Sequence, residues 1–340
     1  MKLPEYCDFT EKNAICDCTQ VNTPSEFNLA IKSLSGDFIY RGMREAKWKN
    51  YTSGQREWIT KKLYIKQRSY NSFINKLLSI IKKQKVLCDY LNSIGVYPND
   101  LYFLSLMQHY GCPTPLLDFT HNLDVALYFA FENMQWTPSS NEIENYVSVY
   151  YVSWKKMKQD AADILNLTRE AALTNEEYQA GNIINWEEYA HAATIMPWLS
   201  NKKEKVSISD YEISFLCPQN ESVYIEPTKE TLYCSNLNLI AQKGCFLIYP
   251  IRNRRNQFLS LEEFLNQELQ QYHKDLQGDG LKCTSSIDYS RLSCLNIHKS
   301  LYEYIKNRRK TRKYFCSKEN IYPNINELVK RIYTDYQRYM

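Results

Sequence analysis

The stretch Asp37-Phe38-Ile39-Tyr40-Arg41-Gly42-Met43 joins a run of β-forming residues to an arginine and a glycine. Phe, Ile and Tyr are enriched in strands, so this stretch predicts a strand that carries Arg41 near its end. Glycine occurs 9 times in 340 residues, less than half the usual share of about 7 %. In so poor a background, Gly42 indicates a turn or a close approach to the backbone. We therefore expect chemistry at this end of the strand.

Two later segments also place polar residues beside a glycine. Gln108-His109-Tyr110-Gly111 ends a helix predicted for residues 101–109, and the proline-interrupted segment 112–120 that follows is predicted to be extended. Gln242-Lys243-Gly244-Cys245-Phe246 lies in a strand predicted for residues 239–249. We expect the glycine of each motif to leave room for a ligand.

The remaining segments predict an α+β fold with helical additions. Asn122 is the predicted N-cap of an almost wholly apolar helix, and residues 55–94 predict a long helical segment. Strands and helices mixed without a repeat of about 20–50 residues indicate a single α+β domain. The predicted organisation is an N-terminal helical segment at 1–36, a domain at 37–250 with a helical insertion at about 155–210, and a helical C-terminal extension at 251–340.

The chain carries 42 Lys and Arg against 38 Asp and Glu, a formal net charge of +4. This near balance excludes a histone-like tail and an acidic disordered protein, and 44 % hydrophobic residues suffice for a core. No apolar run of about 7–15 residues follows Lys2. The longest apolar run, 125–131, is far shorter than the ~20 residues of a membrane-spanning helix. We expect a cytoplasmic protein without a membrane partner.

Cysteine and histidine spacing offers no metal or redox motif. The 11 cysteines form no CxxC pair, and the 5 histidines show neither HxH nor HxxxH spacing. The sequence also lacks GxxxxGK[ST] and GxSxG, so neither a P-loop nor a serine-hydrolase elbow is indicated. We expect no metal and mostly free, buried thiols.

Taken in order, the motifs resemble the FRG domain, a family named for its (F/Y)RG tripeptide. Family members typically continue with a QHxG segment, a TRLLDWT-like segment, a helix of ALYFA type and a later QxGxF strand. Pro115 stands where the family usually has arginine. The resemblance covers about residues 37–250. The matching strings are YRG at 40–42, QHYG at 108–111, TPLLDFT at 114–120, VALYFA at 125–130 and QKGCF at 242–246.

The same order of elements is also similar to the arginine–serine–glutamate type of ADP-ribosyltransferase. That resemblance implies an ADP-ribosyltransferase-like mixed sheet and NAD as the substrate. In such enzymes the strand arginine holds the cofactor, a role that suits a guanidinium because it pairs bidentately with phosphate and keeps its charge. The residues that this resemblance assigns to the cofactor are Tyr40, Arg41, Gly42, Tyr110, Thr120 and Tyr128.

Cleavage of the nicotinamide–ribose bond passes through an oxocarbenium-like state, as glycoside hydrolysis does. Such enzymes normally stabilise that state with a glutamate on a late strand, where this sequence has Gln242. An amide orients a ribose hydroxyl but supplies no negative charge, so Asp118 is expected to provide the carboxylate. His109 is expected to act as a base or to bind a ribose hydroxyl. The predicted catalytic set is Arg41, His109, Asp118, Thr120 and Gln242.

Each candidate also has a structural explanation. The alternative for Arg41 is an ion pair with Asp118 or a tie to a helix end. Asp118 and Thr120 are alternatively caps of the helix that follows them. His109 is alternatively a core histidine, and Gln242 a residue that holds a bulge open.

Basic clusters in the last third of the chain favour a nucleic-acid partner. Cations bind phosphates, and neighbouring tyrosines stack on unpaired bases. The alternative is a solvated helix face, which the small net charge favours. The candidate nucleic-acid-binding residues are Arg252, Arg254, Arg255, Arg308, Arg309, Lys310, Arg312 and Lys313.

Three functional hypotheses follow. The first is a toxin or phage-defence effector that transfers ADP-ribose from NAD to a macromolecule, RNA, DNA or protein, with an antitoxin or regulatory protein as a further partner. The second is a non-enzymatic module that binds a nucleotide or nucleic acid, which Gln242 favours. The third is an NAD-independent nuclease or hydrolase that uses His109 and Asp118.

Overall fold

The fold is taken from a computed structural model. The structure describes residues 2–34, 38–66, 69–93, 100–153, 214–216, 237–249, 258–269, 292–310 and 317–324. The predicted helical insertion and five of the predicted nucleic-acid-binding residues lie outside the described residues; the five are Arg252, Arg254, Arg255, Arg312 and Lys313.

In the part of the chain that the structure describes, seven strands form one mixed sheet, in the order β1-β7-β4-β2-β3-β6-β5. β1 and β7 run parallel, and every other neighbouring pair is antiparallel. The α+β class predicted from the sequence is therefore confirmed. The strands are β1 (Asp17–Val21), β2 (Phe38–Met43), β3 (Leu117–Thr120), β4 (Tyr146–Ser153), β5 (Ser214–Leu216), β6 (Gly244–Ile248) and β7 (Ser293–His298).

Helices cover both faces of this sheet. Short 3₁₀ or π turns also occur, and no helix in the described part of the chain is long and apolar enough to cross a membrane. The α-helices are α1 (Phe9–Ile15), α2 (Pro24–Ser33), α3 (Ser53–Thr60), α4 (Tyr70–Ile81), α5 (Lys85–Ser93), α6 (Asp100–His109), α7 (Leu123–Phe131), α8 (Leu237–Ala241), α9 (Leu261–Phe264), α10 (Tyr302–Lys310) and α11 (Lys318–Ile321).

The two faces of the sheet bury two separate hydrophobic cores. Strand side chains alternate between faces, so Ile39 on β2 packs in the core that contains Trp58 of α3, whereas Tyr40 packs in the core that contains α7. α7 lies directly on β2 because Gly42 has no side chain. A Cβ at this position would overlap the carbonyl oxygen of Ala126.

Four segments differ from the sequence prediction. The long helical segment at 55–94 is divided into α3, α4 and α5, and α8 forms where the strand at 239–249 was predicted to begin. The terminal segments are not wholly helical either, because each supplies a strand. β1 and β7 pair with each other at one side of the sheet, and β7 also pairs with β4.

Candidate ligand-binding cleft

A cleft opens where β2 and β3 separate. The ladder between these strands consists of one residue pair, Tyr40 with Thr120, whereas β2 pairs with β4 along its whole length. Beyond this pair the strands part and leave a cavity of about 340 Å³. Small-molecule sites in proteins typically have volumes of about 300–1,000 Å³, so the cavity is large enough for a nucleotide-sized ligand.

The cleft brings together residues from all three motif segments, because β2, β3 and β6 are neighbours in the sheet. Two predicted cofactor-binding residues do not line it: Tyr110 is 73 % exposed, and the Tyr128 ring packs against Tyr322. The predicted residues that do line the cleft are Tyr40, Arg41, Gly42, His109, Asp118, Thr120 and Gln242.

Arg41 bridges the gap between the separated strands. Its Nη1 donates a 2.7 Å hydrogen bond to the backbone carbonyl of Asp118, and its Nε donates to Asn50 Oδ1 at 3.1 Å. Burial lowers the pKa of Arg41, and the charge of Asp118 opposes this shift. The side chain is only 12 % exposed. A guanidinium has five N–H groups, so these two bonds leave three of them for a ligand.

Asn50 is itself held in place from the C-terminal part of the chain. Its backbone N–H donates to the Glu262 carboxylate at 3.0 and 3.2 Å, and its carbonyl accepts from Leu261. Glu262 also accepts from Tyr6 Oη at 2.8 Å and is fully buried. Burial raises the pKa of the Glu262 carboxyl, whereas these hydrogen bonds oppose the shift. The hydrogen-bond partner of Arg41, Asn50, is therefore held by a buried carboxylate that is distant in sequence, Glu262.

The Asp118 carboxylate is fixed by Gln108 rather than by Arg41. Gln108 Nε2 donates to Asp118 Oδ2 at 2.7 Å, whereas Arg41 Nη1 lies 4.0 Å from the same oxygen. Gln108 Oε1 accepts from the hydroxyls of Ser53 and Thr114, which fixes the orientation of the amide. The Asp118 side chain is 57 % exposed and lines the cleft as an oriented carboxylate.

Thr120 and Gln242 make mainly local bonds. Thr120 Oγ1 donates to the Gln242 carbonyl at 2.6 Å and accepts from the backbone N–H of Asn122 at 2.9 Å. The Gln242 amide donates to the carbonyl of Ile321 at 3.0 Å. The predicted N-cap is confirmed, because the Asn122 side chain accepts from the Asp124 backbone. Among the described residues, the Gln242 side chain bonds through its nitrogen only, so its side-chain oxygen is an unused acceptor there.

His109 lies at the side of the cleft near α8. Its Nδ1 is 3.2 Å from Asn238 Nδ2, so the neutral tautomer that accepts this hydrogen bond carries its proton on Nε2. Burial lowers the pKa of His109. A neutral imidazole at this place donates to a ligand hydroxyl or phosphate more readily than it removes a proton.

The structure gives a reason for glycine at each of the three motif positions that the sequence alone did not show. Gly42 makes room for α7, and a Cβ on Gly244 would lie 2.6 Å from Leu239 Cδ1 on α8. Gly111 has open space around it but a φ of +74°, in the region that favours glycine. Gly42 also lines the cleft, whereas Gly111 and Gly244 do not, and the expectation that the three glycines leave room for a ligand stays a prediction.

The basic residues of α10 that the structure describes are partly used within the fold. Arg308 lies over the Phe27 ring and donates to Asn28 at 3.1 Å. Arg309 is 8 % exposed and lies over the Tyr128 ring, whereas Lys310 is exposed. Of these three cations, Lys310 is the one whose charge is presented mainly to solvent.

Several cleft residues were not predicted from the sequence. Five of them lie in stretches that the sequence analysis quoted, namely Met43, Gln108, Phe119, Phe129 and Phe246, and the polarity of Gln108 next to His109 was an available signal. The others come from helices or loops that carry no recognisable motif. Together with the predicted residues they give the cleft three guanidinium groups and two carboxylates. The unpredicted lining residues are Met43, Arg44, Trp48, Arg56, Gln108, Phe119, Phe129, Glu132, Asn238, Leu239, Phe246 and Tyr322.

Residues 36–138 match the family model of the FRG domain. The FRG match contains β2, α3 to α7 and β3, and with them the YRG, QHYG, TPLLDFT and VALYFA strings. The QKGCF string on β6 lies outside it. No curated protein and no solved structure matches the chain. Among the residues that the structure describes, no group of three His, Cys, Asp or Glu residues is placed to hold a metal ion.

Proposed function

We propose that the cleft binds NAD and transfers its ADP-ribose group to a macromolecule. The observation that supports this proposal is the convergence of Arg41, Thr120 and Gln242 on one cleft, from β2, from β3 and from the turn before β6. The residues come from motifs separated by up to about 200 positions in the chain, and the resemblance to ADP-ribosyltransferases requires their convergence. The cleft volume and its three guanidinium groups suit a phosphate-bearing ligand.

In this proposal Arg41 pairs with the phosphates, and the Gln242 side-chain oxygen accepts a ribose hydroxyl. The bond between the ribose C1′ and the nicotinamide nitrogen breaks, and nicotinamide leaves as a neutral molecule with the bonding electron pair. A hydroxyl or amino group of the acceptor forms a new bond to C1′, and its proton passes to Asp118 or to water. The Asp118 carboxylate stabilises the positive charge that develops on the ribose.

The proposal is tested by nicotinamide release from NAD, and by transfer of label from the ADP-ribose part of NAD to total RNA, DNA or lysate protein. Asp118→Asn is the most informative variant, because this exposed side chain can be changed without opening the core. We expect a loss of at least about 100-fold, within the range typical of a catalytic acid–base or charge-stabilising group. Asp89→Asn, on an exposed position of α5, is the matched control and should keep full activity.

Arg41→Lys provides a second test, since lysine keeps the charge but loses the planar fork. We expect weaker NAD binding in this variant. Wild-type protein that releases no nicotinamide and labels no acceptor would refute the transferase proposal. The toxin or phage-defence role, and an antitoxin partner, belong to the same proposal and depend on its success.

The second candidate function is nucleotide binding without catalysis. The specific observation in its favour is that position 242 carries an uncharged amide whose nitrogen already bonds to Ile321. Saturable binding of NAD without nicotinamide release, lost in Arg41→Ala, would support this function instead. Cleavage of RNA or DNA without NAD in the same assays would support the nuclease hypothesis.

A further inference from the structure

We propose that Arg41 and Arg56 together form a binding site for a diphosphate group. The proposal deepens the proposed function: it names the part of the nucleotide that the cleft selects and a second residue that selects it. It rests on the binding step of that function and does not require transfer.

Two guanidinium groups reach the same cleft from different elements. Arg41 projects from β2, and Arg56 projects from α3. Both line this one cleft, and the charge of Arg56 adds to burial in lowering the pKa of Arg41, against the opposing charge of Asp118. Two like charges held near one another in a partly buried place cost free energy. An anion that contacts both removes this cost.

The charge of Asp118 acts to raise the pKa of both arginines, but its closest ion pair is a long one of 4.0 Å with Arg41. Asp118 directs Oδ2 to Gln108 at 2.7 Å, and the nearest Arg41 nitrogen is 4.0 Å from that oxygen. Arg41 instead donates to the backbone carbonyl of Asp118. Within the described ranges, no carboxylate forms an ion pair with Arg56. Both guanidinium groups therefore retain N–H donors for a ligand.

The donor arrangement favours a diphosphate over a monophosphate. Arg41 has three N–H groups left after its two protein bonds, and Arg56 can present all five. Each planar fork pairs with two oxygens of one phosphate. Two forks in one cleft thus match two linked phosphates, whereas a single phosphate monoester has only three terminal oxygens to share between both forks.

The test is calorimetric titration of the full chain with adenosine, AMP, ADP and inorganic pyrophosphate at low ionic strength. We expect ADP to bind at least about tenfold more tightly than AMP, because each hydrogen bond to a charged group contributes enough for that ratio. Arg56→Gln should abolish the preference for ADP and leave the AMP affinity nearly unchanged. Arg56→Lys should restore part of it, since the charge is kept and the fork is lost.

Lys66→Gln is the matched control, because it removes one exposed positive charge outside the cleft. This variant should keep the preference for ADP. Equal affinity of wild type for AMP and ADP, no binding of any phosphate compound, or an unchanged preference in Arg56→Gln would each overturn the diphosphate site.

Nicotinamide release from NAD, measured in parallel, separates this inference from the proposed function. A preference for ADP that depends on Arg56, without nicotinamide release, would leave the diphosphate site standing and refute transfer. ADP-ribose transfer with an unchanged KM for NAD in Arg56→Gln would support the transferase proposal and refute the diphosphate site.

Discussion

Gln108 orients the carboxylate of Asp118, which is the one acidic side chain in the motif strings that line the cleft. Its amide oxygen accepts from Ser53 and Thr114, so its nitrogen is turned towards Asp118. The oxygen and the nitrogen of one amide group thus connect α3 and the loop before β3 to Asp118. We assign Gln108 a positioning role rather than a catalytic one.

This role predicts coupling between Gln108 and Asp118. Gln108→Ala alone should lower nicotinamide release by about tenfold, a loss of the size of one hydrogen bond to a charged group. In an Asp118→Asn background the same change should cost little more, because the group that Gln108 orients is already gone. The measurement is a double-mutant cycle on kcat/KM.

A purely structural role for Gln108 would give a different result. The loss of activity in Gln108→Ala would then add to the loss in Asp118→Asn, and it would be proportional to the loss of unfolding free energy in each variant. Denaturant unfolding of the same four proteins distinguishes the two cases.

Glu262 predicts a pH dependence of stability. Because burial raises the pKa of its carboxyl above the ordinary value of 4.5, the folded state binds this proton more tightly than the unfolded state. The contribution of this group to stability therefore falls as pH rises from the unfolded pKa through the raised folded pKa. Relative to Glu262→Gln, wild type should be more stable at about pH 4 than at about pH 8.

Thermal or denaturant unfolding of both proteins across this range is the measurement. Comparison with the variant cancels the titration of all other groups, which are the same in both chains. Parallel stability curves for the two proteins would contradict the prediction.

At the same scale, the sequence allows some cleft residues to be predicted and not others. Arg41 and Asp118 stand out because they end short β-forming runs, where polar residues are unusual. Arg56 and Glu132 belong to helical surroundings in which charged residues are ordinary, so only the three-dimensional structure places them in the cleft. Tyr110 follows His109 directly, yet the helix end turns it to solvent.

At the scale of elements, the contact between β2 and α7 depends on Gly42. A Cβ there would overlap the Ala126 carbonyl oxygen and lie 2.8 Å from the Ala130 nitrogen. These are backbone atoms of a buried helix, which cannot move aside without shifting α7. We expect Gly42→Ala to lower the unfolding free energy by about 3 kcal/mol, the upper part of the usual range for overpacking, as measured by denaturant unfolding.

Gly111→Ala is the control for this prediction. The added methyl group meets no atom within 4 Å, but the φ of +74° strains any L-residue. The expected cost is therefore about 1 kcal/mol. Equal losses in the two variants would show that backbone conformation, rather than contact with α7, determines the need for glycine at 42.

The prediction of helices succeeded where a capping side chain marks the first turn of the helix. The predicted N-cap Asn122 begins α7 as expected, because its side chain accepts from the backbone of Asp124. β7 was missed because it is buried on both sides and holds Asn296 at its centre, so no alternation of polar and apolar residues appears. The short apolar run that forms α8 was assigned to a strand, since a run of this length does not distinguish the two.

At the scale of the whole molecule, the FRG match alone should not fold. Its two strands, β2 and β3, share one residue pair, and their other neighbours lie outside residues 36–138. We expect a fragment of residues 36–138 to lack cooperative thermal unfolding and native-like amide dispersion, whereas the full chain shows both. A fragment that unfolds cooperatively would contradict this prediction.

The two ends of the chain are also joined through a buried cation. Lys12 is fully buried, and its Nζ donates to Ser148 Oγ on β4 and Asn296 Oδ1 on β7 at 2.7 Å each, and to the Ala46 carbonyl at 2.9 Å. Loss of β7 would leave this ammonium group short of an acceptor in the core, which is costly. The strands outside the FRG match are therefore part of the same folding unit.

The one-pair ladder between β2 and β3 also has a mechanical meaning. It divides the sheet into one part of four strands, β1, β7, β4 and β2, and one part of three strands, β3, β6 and β5. The two parts are joined there by the Tyr40–Thr120 pair and by the Arg41 guanidinium. A ligand bound across the junction of β2 and β3 would contact both parts of the sheet and hold them together. Amide hydrogen exchange in β3 and β6 should slow on ligand binding even where no atom of the ligand touches them.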